Sequence, residues 1–351
     1  VRRSGNIRWV TVGVAGAALL ALVTLLFGCA SADASTEATR VRVGYFPNVT
    51  HAQALIGLSR GDFQQALGPG VKTLEKRFNA GPAVIEALFA GELDLAYVGP
   101  SPAINGYVNS GGEALRIIAG SASGGAALVV RKDAGIHSAS DLKGKRIASP
   151  QLGNSQDVAL RWYLKQEGFK TKDRGGSVTV LPAKNPDIFT LFRDRRIDGA
   201  WVPEPWASRL IAEAGGELFL DERELWPEGE FANTILIARS GFLKRNPNLV
   251  KRWLAAHVEV TTWLNGHPQE AQSLVIRVIH RLTGVSLNPA IVADSFDRLT
   301  FTHDPIAASI SQVAERNHTL GFFTSKPTVA GITDLNPLNA VLREQALPEV
   351  R

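Results

Sequence analysis

The hexapeptide Trp-Val-Pro-Glu-Pro-Trp (Trp201 to Trp206) sets one carboxylate, Glu204, between two prolines and two indoles. Two roles suit that frame. A carboxylate at a helix start complements the helix dipole, and proline is tolerated there because its missing N–H would be unpaired anyway. A rigid carboxylate flanked by aromatic rings is also a counter-charge for a bound solute.

The same choice recurs along the chain. Asn48, Thr50 and His51 (PNVTHAQ), Asn79 (NAGP), Ser101 (GPSPA), Ser121 and Ser123 (GSASGG), Asn154, Ser155 and Gln156 (GNSQD) and Asn185 (KNPD) each follow a stretch patterned as a strand. Small polar residues there are ordinary helix N-caps, worth roughly 1 kcal/mol each. Helix starts also hold anions, and open parallel sheets bind ligands outside the carboxyl ends of their strands. Caps gathered on one side of their sheets would form one ligand site, with His51 placed either to donate to an anion or to serve the fold.

Catalytic and metal chemistry finds no pattern. The seven histidines show no HExxH spacing, and no GxSxG, Walker or strand-following GxGxxG motif occurs. Cys29 is the single cysteine, so an intrachain disulfide, a cysteine-based metal site and a CxxC pair are excluded. No cofactor and no metal are expected.

The elements that must hold these residues alternate. VRVGYF has the period of a strand and THAQALIGLSRGDFQQAL that of helix; VKTLEKRF and GPAVIEALFAG repeat the unit, as do DLAYVG and SPAINGYVNSG. A second series follows: strands at 145–149, 177–181 and 199–202, helices at 155–167, 186–195 and 205–214. Such alternation predicts parallel βαβ units. NTILIARSGFL (233–243) is one more strand, after which the chain is helical to about Phe323. PNLVKRWLAAHVEVTTWLNGHP (247–268) carries an apolar face that needs a sheet to cover it, and the first domain is the simplest host. The prediction is therefore an α/β protein of two lobes, lobe I from 41–129 and 236–325 and lobe II from 130–235. Crossings near 127–133 and 233–238 form a two-strand hinge able to close on a ligand. Residues 326–351 are expected to be a loose tail.

Composition, 45% apolar and 20% charged over 351 residues, is that of a globular protein. The formal charge of +5 includes Arg2, Arg3 and Arg8, which precede the apolar run Val10–Gly28; the remainder is close to balance, and nothing points to nucleic acid. A basic start followed by that run has the layout of an export signal, residues 1–28. The run ends in LFGC and leads into ASADASTEATR, a small, polar tether to residue 40. LFGC looks like a bacterial lipobox, with Phe27 where a smaller residue is usual; that likeness implies cleavage after Gly28, a lipidated Cys29 and a mature protein outside the cytoplasmic membrane.

VGPSPA, GNSQDVALRWYLKQEGF and LFRDRRIDGAWVPEPWASRL, taken with the lipobox, resemble the periplasmic solute-binding proteins of ABC importers in the aliphatic sulfonate, taurine and nitrate group, which share their domain with thiamine-precursor binders. The resemblance spans roughly Arg40–Phe323. It implies a monomer that binds one small molecule between its lobes and hands it to a membrane permease. In sulfonate binders the anionic head is held at helix starts, matching Ser101 and the Asn154–Ser155 turn. In the taurine type the acidic residue of the PEPW segment, here Glu204, pairs with the ligand's ammonium. Nitrate and bicarbonate members use more basic residues than the His51 and Lys184 available here. A heterocyclic cation would use Glu204 and stack on Trp206 or Phe46. The pyrimidine synthase of thiamine biosynthesis shares the fold but carries a cysteine-rich CCCFC motif. The expectation is a non-enzymatic, lipid-anchored binder of an alkanesulfonate or taurine-like anion, with Ser101, Ser155 and His51 on the head, Glu204 on the tail, Trp206 and Phe46 as walls and Trp201 in the core.

Overall fold

Val41, Val43 and Tyr45 alternate with Arg40, Arg42 and Gly44, and that period of two buries the first three on one face of strand β1 (Arg40–Tyr45). The structure, a computed structural model, describes residues 38–351; the expected signal peptide, Cys29 and most of the tether lie outside the described residues. After β1 come a 3-10 turn (Val49–His51), α1 (Ala52–Arg60), α2 (Asp62–Leu67), β2 (Lys72–Arg77), α3 (Gly81–Phe89), β3 (Leu95–Val98), α4 (Pro100–Asn109) and β4 (Leu115–Gly124). The second series is β5 (Ala126–Arg131), β6 (Arg146–Pro150), α5 (Ser155–Gln166), β7 (Thr179–Ala183), α6 (Asn185–Arg193), β8 (Gly199–Pro203), α7 (Trp206–Glu213) and β9 (Gly216–Asp221). The chain returns through β10 (Ala232–Arg239), α8 (Ser240–Arg245), α9 (Pro247–Gly266), α10 (Pro268–Thr283), α11 (Pro289–Asp297), β11 (Leu299–Phe301), α12 (Ala307–Thr319) and α13 (Asn336–Glu344).

Two sheets result, one ordered β11-β4-β10-β3-β1-β2 and the other β7-β6-β8-β5-β9. Strands joined through helices pair in parallel, as β1 does with β2 and β6 with β7. Those entering or leaving a lobe do not: β10 runs antiparallel to β3 and β4, and β5 to β8 and β9. Each sheet is covered on both faces. In the second lobe Leu128, Ile147 and Trp201 pack under α5, while Val129, Ala148 and Val202 pack under α6 and α7. In the first, α9 covers the sheet as its apolar face requires, with Trp253 stacked on Phe63 at 4.0 Å. His257 fixes α9 in register: Nε2 donates to the Gly120 carbonyl at 2.9 Å, so Nδ1 accepts from the Tyr97 hydroxyl at 3.0 Å.

Three expectations need correction. The first crossing is at Gly124–Gly125, not within 127–133, because β4 belongs to one sheet and β5 to the other. Their sequences form one apolar run, so periodicity hides the break; the glycines mark it, with φ of 72° and 66°. The second crossing lies between Asp221 and Ala232, and β9 and β11 join the sheets as strands that patterning alone does not reveal. Finally, the segment 326–351 is not a loose tail. Leu338, Val341 and Leu342, at helical spacing, are buried in α13 against α9.

Candidate functional site

A small chamber lies between the lobes at the carboxyl ends of their strands. Phe46, Asn48, Thr50, His51, Asn79 and Gly99 line it from the first lobe, Asn154, Gln156, Asn185 and Pro203 from the second, and Asn233 and Thr234 from the start of β10. With Phe46 as a wall, the fold thus brings together Asn48, Thr50, His51, Asn79, Asn154, Gln156 and Asn185 from the expected set. Asn233 and Thr234 are additions to it; their signal is a polar pair opening an otherwise apolar strand.

Five helix starts meet here. Asn48 caps the 3-10 turn leading into α1, Asn79 precedes α3, Gly99 caps α4, Asn154 caps α5, and Asn185 is the first residue of α6. Asn48 and Asn154 hold N-cap positions, yet neither accepts a backbone N–H of its helix through its side chain, so ordinary capping is not what these two residues do. Instead Asn154 Nδ2 donates to Gln156 Oε1 at 3.1 Å, Gln156 Nε2 donates to Asn233 Oδ1 at 3.2 Å, and Asn48 Oδ1 accepts from Trp206 Nε1 at 3.1 Å. The last two bonds link chain segments from different sheets and draw the walls together.

The chamber carries no formal charge near neutrality. His51 is its one titratable residue; burial pushes its pKa down to about 3, so the imidazole is neutral. Its Nδ1 is buried without a hydrogen-bond partner, as is Asn185 Oδ1. Positive potential comes from the helix ends, each equivalent to about half a charge. Helix ends of this kind can hold an anion without a formal counter-charge. Lys184 is exposed and supplies nothing to it.

The four serines and Glu204 do not line the chamber. Ser101 Oγ shares its one proton between Gly153 O at 3.1 Å and Asn317 Oδ1 at 3.0 Å, and the Ser101 N–H donates to Ser155 Oγ at 3.3 Å. The expected head-group pair therefore bonds lobe to lobe. Ser121 Oγ donates to Gln53 Oε1 at 2.9 Å, and Ser123 Oγ accepts from Phe231 N at 3.2 Å. For Ser101 and Ser155, position after a strand specifies the end of the sheet but helix phase decides where the side chain points; Ser121 and Ser123 follow no strand, because β4 runs on through them to Gly124.

Glu204 is the larger correction. Its peptide to Pro205 is cis, and its N–H donates to the Gly125 carbonyl at 2.9 Å, tying the PEPW turn to the crossing. The carboxylate is fully buried and already paired. Oε1 accepts from Arg298 Nη1 at 2.8 Å and Ser208 Oγ at 3.0 Å; Oε2 accepts from Ser208 N at 3.1 Å and lies 3.1 Å from Ser295 Oγ, whose one proton it shares with the Ile291 carbonyl at 2.7 Å. A solute ammonium would have to displace Arg298 to reach it. Trp201 is core, as expected, and its Nε1 donates to Glu222 Oε2 at 2.8 Å.

Beside the chamber lies a larger pouch of ≈ 350 Å³, against ≈ 20 Å³ for the chamber. Asn48, Asn79 and Asn185 line both. Its other walls are mostly apolar, among them Phe78, Phe189, Trp206, Ile279 and Leu287, and Arg209 is its one charged lining residue.

Two α/β lobes, crossed twice by the chain and closed over a dipole-lined chamber, define a solute-binding class of protein. The chain belongs to the NMT1-like family, whose model matches residues 34–280. Among its relatives, a putative aliphatic sulfonates-binding protein of Bacillus subtilis (strain 168) is 28% identical over 73% of this chain and 75% of its own length. The taurine-binding periplasmic protein of Escherichia coli (strain K12) is 25% identical over 75% and 78%. The alkanesulfonate-binding protein SsuA from Xanthomonas axonopodis pv. citri, solved with MOPS bound, shares the fold: TM-score 0.72 at 19% identity, over 86% of this chain and 99% of that one.

Proposed function

We propose that this chain is the extracytoplasmic substrate-binding component of an ABC importer, without enzymatic activity, which captures a small organic anion of the sulfonate class and presents it to a membrane permease. The observation that carries the reading is the convergence of five helix starts on a buried chamber whose lining has no formal charge. Asn48, His51, Asn79, Asn154, Gln156 and Asn185 would hold the head, joined by Asn233 and Thr234. The names of the relatives, sulfonate and taurine binders, support the same class.

A thermal-shift screen over sulfonates, taurine, nitrate, bicarbonate and thiamine precursors tests it. A solute at 100 times its Kd stabilises the fold by about 2.7 kcal/mol. Absence of a shift with every anion would reject the reading. A heterocyclic cation is the weaker alternative, since the carboxylate that would balance it, Glu204, already pairs with Arg298.

Anchoring through a lipidated Cys29 and a monomeric state complete the proposal. Cys29→Ser should release the protein from the membrane fraction or leave it unprocessed. Unchanged retention would reject the anchor.

A further inference from the structure

We infer that the solute carries an apolar tail and no amine, the tail seated in the pouch beside the chamber; this rests on the reading of the chamber as the anion site. Continuity is the first ground, because Asn48, Asn79 and Asn185 line both spaces, so a head held in one leads directly into the other. Size is the second. At ≈ 20 Å³ the chamber has free room for little more than a water, so nothing of a solute beyond its head could sit there, whereas the pouch, at ≈ 350 Å³, has room for a chain or a ring.

The pouch's chemistry selects among tails. Phe189 and Trp206 from the second lobe face Ile279 and Leu287 from the first, a surface that gains from covering methylene groups. Its one charge is Arg209, whose guanidinium lies 4.4 Å over the Phe189 ring and 4.9 Å over that of Trp206 and pairs with Glu213 at 2.9 Å. A tail ammonium would find no carboxylate among the lining residues of either space, and Glu213, the one beside the pouch, is already paired with Arg209. Glu204 would have been the natural acceptor, and Arg298 holds it.

Titration calorimetry on the protein with four sulfonates separates the ideas. From methanesulfonate to hexane-1-sulfonate, affinity should rise by up to about fourfold per methylene, at least tenfold in all. Taurine should bind at least tenfold more weakly than ethanesulfonate, which differs from it only in lacking the amine. Phe189→Gln and Val285→Gln, at half-buried and exposed positions of the pouch wall, should shrink the ratio of hexane-1-sulfonate to methanesulfonate affinity. Affinity independent of chain length, or taurine binding as tightly as ethanesulfonate, would overturn the tail inference while leaving the anion site intact. Binding of none of the four would overturn the anion site itself, and the inference with it.

Discussion

Arg298 Nη1 lies 2.8 Å from Oε1 of Glu204, and the two residues come from opposite sides of the double crossing: Glu204 follows β8 in one lobe and Arg298 follows α11 in the returning chain. Glu204 has no exposed surface, so its charge is balanced only by what the protein brings to it. Removing one partner of a buried pair leaves the other uncompensated, at about 3–5 kcal/mol, whereas replacing both is much less costly. Arg298→Met should therefore lose about 3 kcal/mol in urea unfolding, and Glu204→Gln combined with Arg298→Met should recover most of it. Additive losses would mean the pair is not coupled.

Acid should weaken the fold. His51 and His257 are held neutral by burial, with pKa values pushed down to about 3 and about 4 from 6.5. For a base lowered on folding, the contribution to stability is whole above 6.5 and drains as pH falls toward the folded value. Glu222 acts in the opposite sense. Burial lifts it from 4.5 to about 7, so its contribution is whole below 4.5 and drains as pH rises. Burial lowers His303 as well, and three histidines against one glutamate leave a net loss on going from pH 6.5 down to 4.5, with a ceiling of about 1.4 kcal/mol per pH unit for each uncompensated group. Urea midpoints across that range test the sign. Glu222→Gln should steepen the loss, and a fold that strengthens on acidification would contradict the assignment.

Asn185 is buried with its Oδ1 unpartnered, a state that costs about 1–3 kcal/mol in a folded protein. Asn185→Leu should raise the Tm of the solute-free protein and lower its sulfonate affinity, both measured against wild type. A variant that loses stability and keeps affinity would place Asn185 among structural residues instead.

Gly124 takes φ of 72°, and a Cβ there would come within 2.5 Å of the Arg298 carbonyl. Gly124→Ala should cost more than 1 kcal/mol, roughly, because alanine adds both left-handed backbone strain and a clash. The loss should appear in chemical denaturation. Gly135→Ala is the control: its φ is 59° but nothing lies within 4 Å, so strain acts there without the clash and the cost should be smaller.

The lobes are legible from alternation alone, since each run such as VRVGYF or RIASP needs a helix to cover it, and α9 can only be satisfied by returning to a sheet. The crossing at Gly124–Gly125 is less so, because β4 and β5 are apolar on both sides of it and burial has no period to break. Position after a strand is enough to find five of the six amides of the chamber; the sixth, Asn233, opens β10 and is not reached that way. The serines beside them occupy the same positions, yet Ser155 Oγ accepts from the Ser101 N–H and the Ser101 hydroxyl turns to Gly153 and Asn317, a difference set by the packing of two helix starts that lie 54 residues apart in sequence. The frame around Glu204 marks it as special but does not name its partner: Arg298 is 94 residues further on, and no local pattern announces it.

The five helix starts around the chamber are divided, three in the first lobe at Asn48, Asn79 and Gly99 and two in the second at Asn154 and Asn185. Neither half has the whole field. Each helix end is worth about 0.3–2 kcal/mol to an anion, so separating the halves forfeits two or three of these contributions at once and readmits water to the remainder. On the function proposed above, grip and discharge become one mechanical coordinate: a permease that pried the halves apart would unload the solute without touching it.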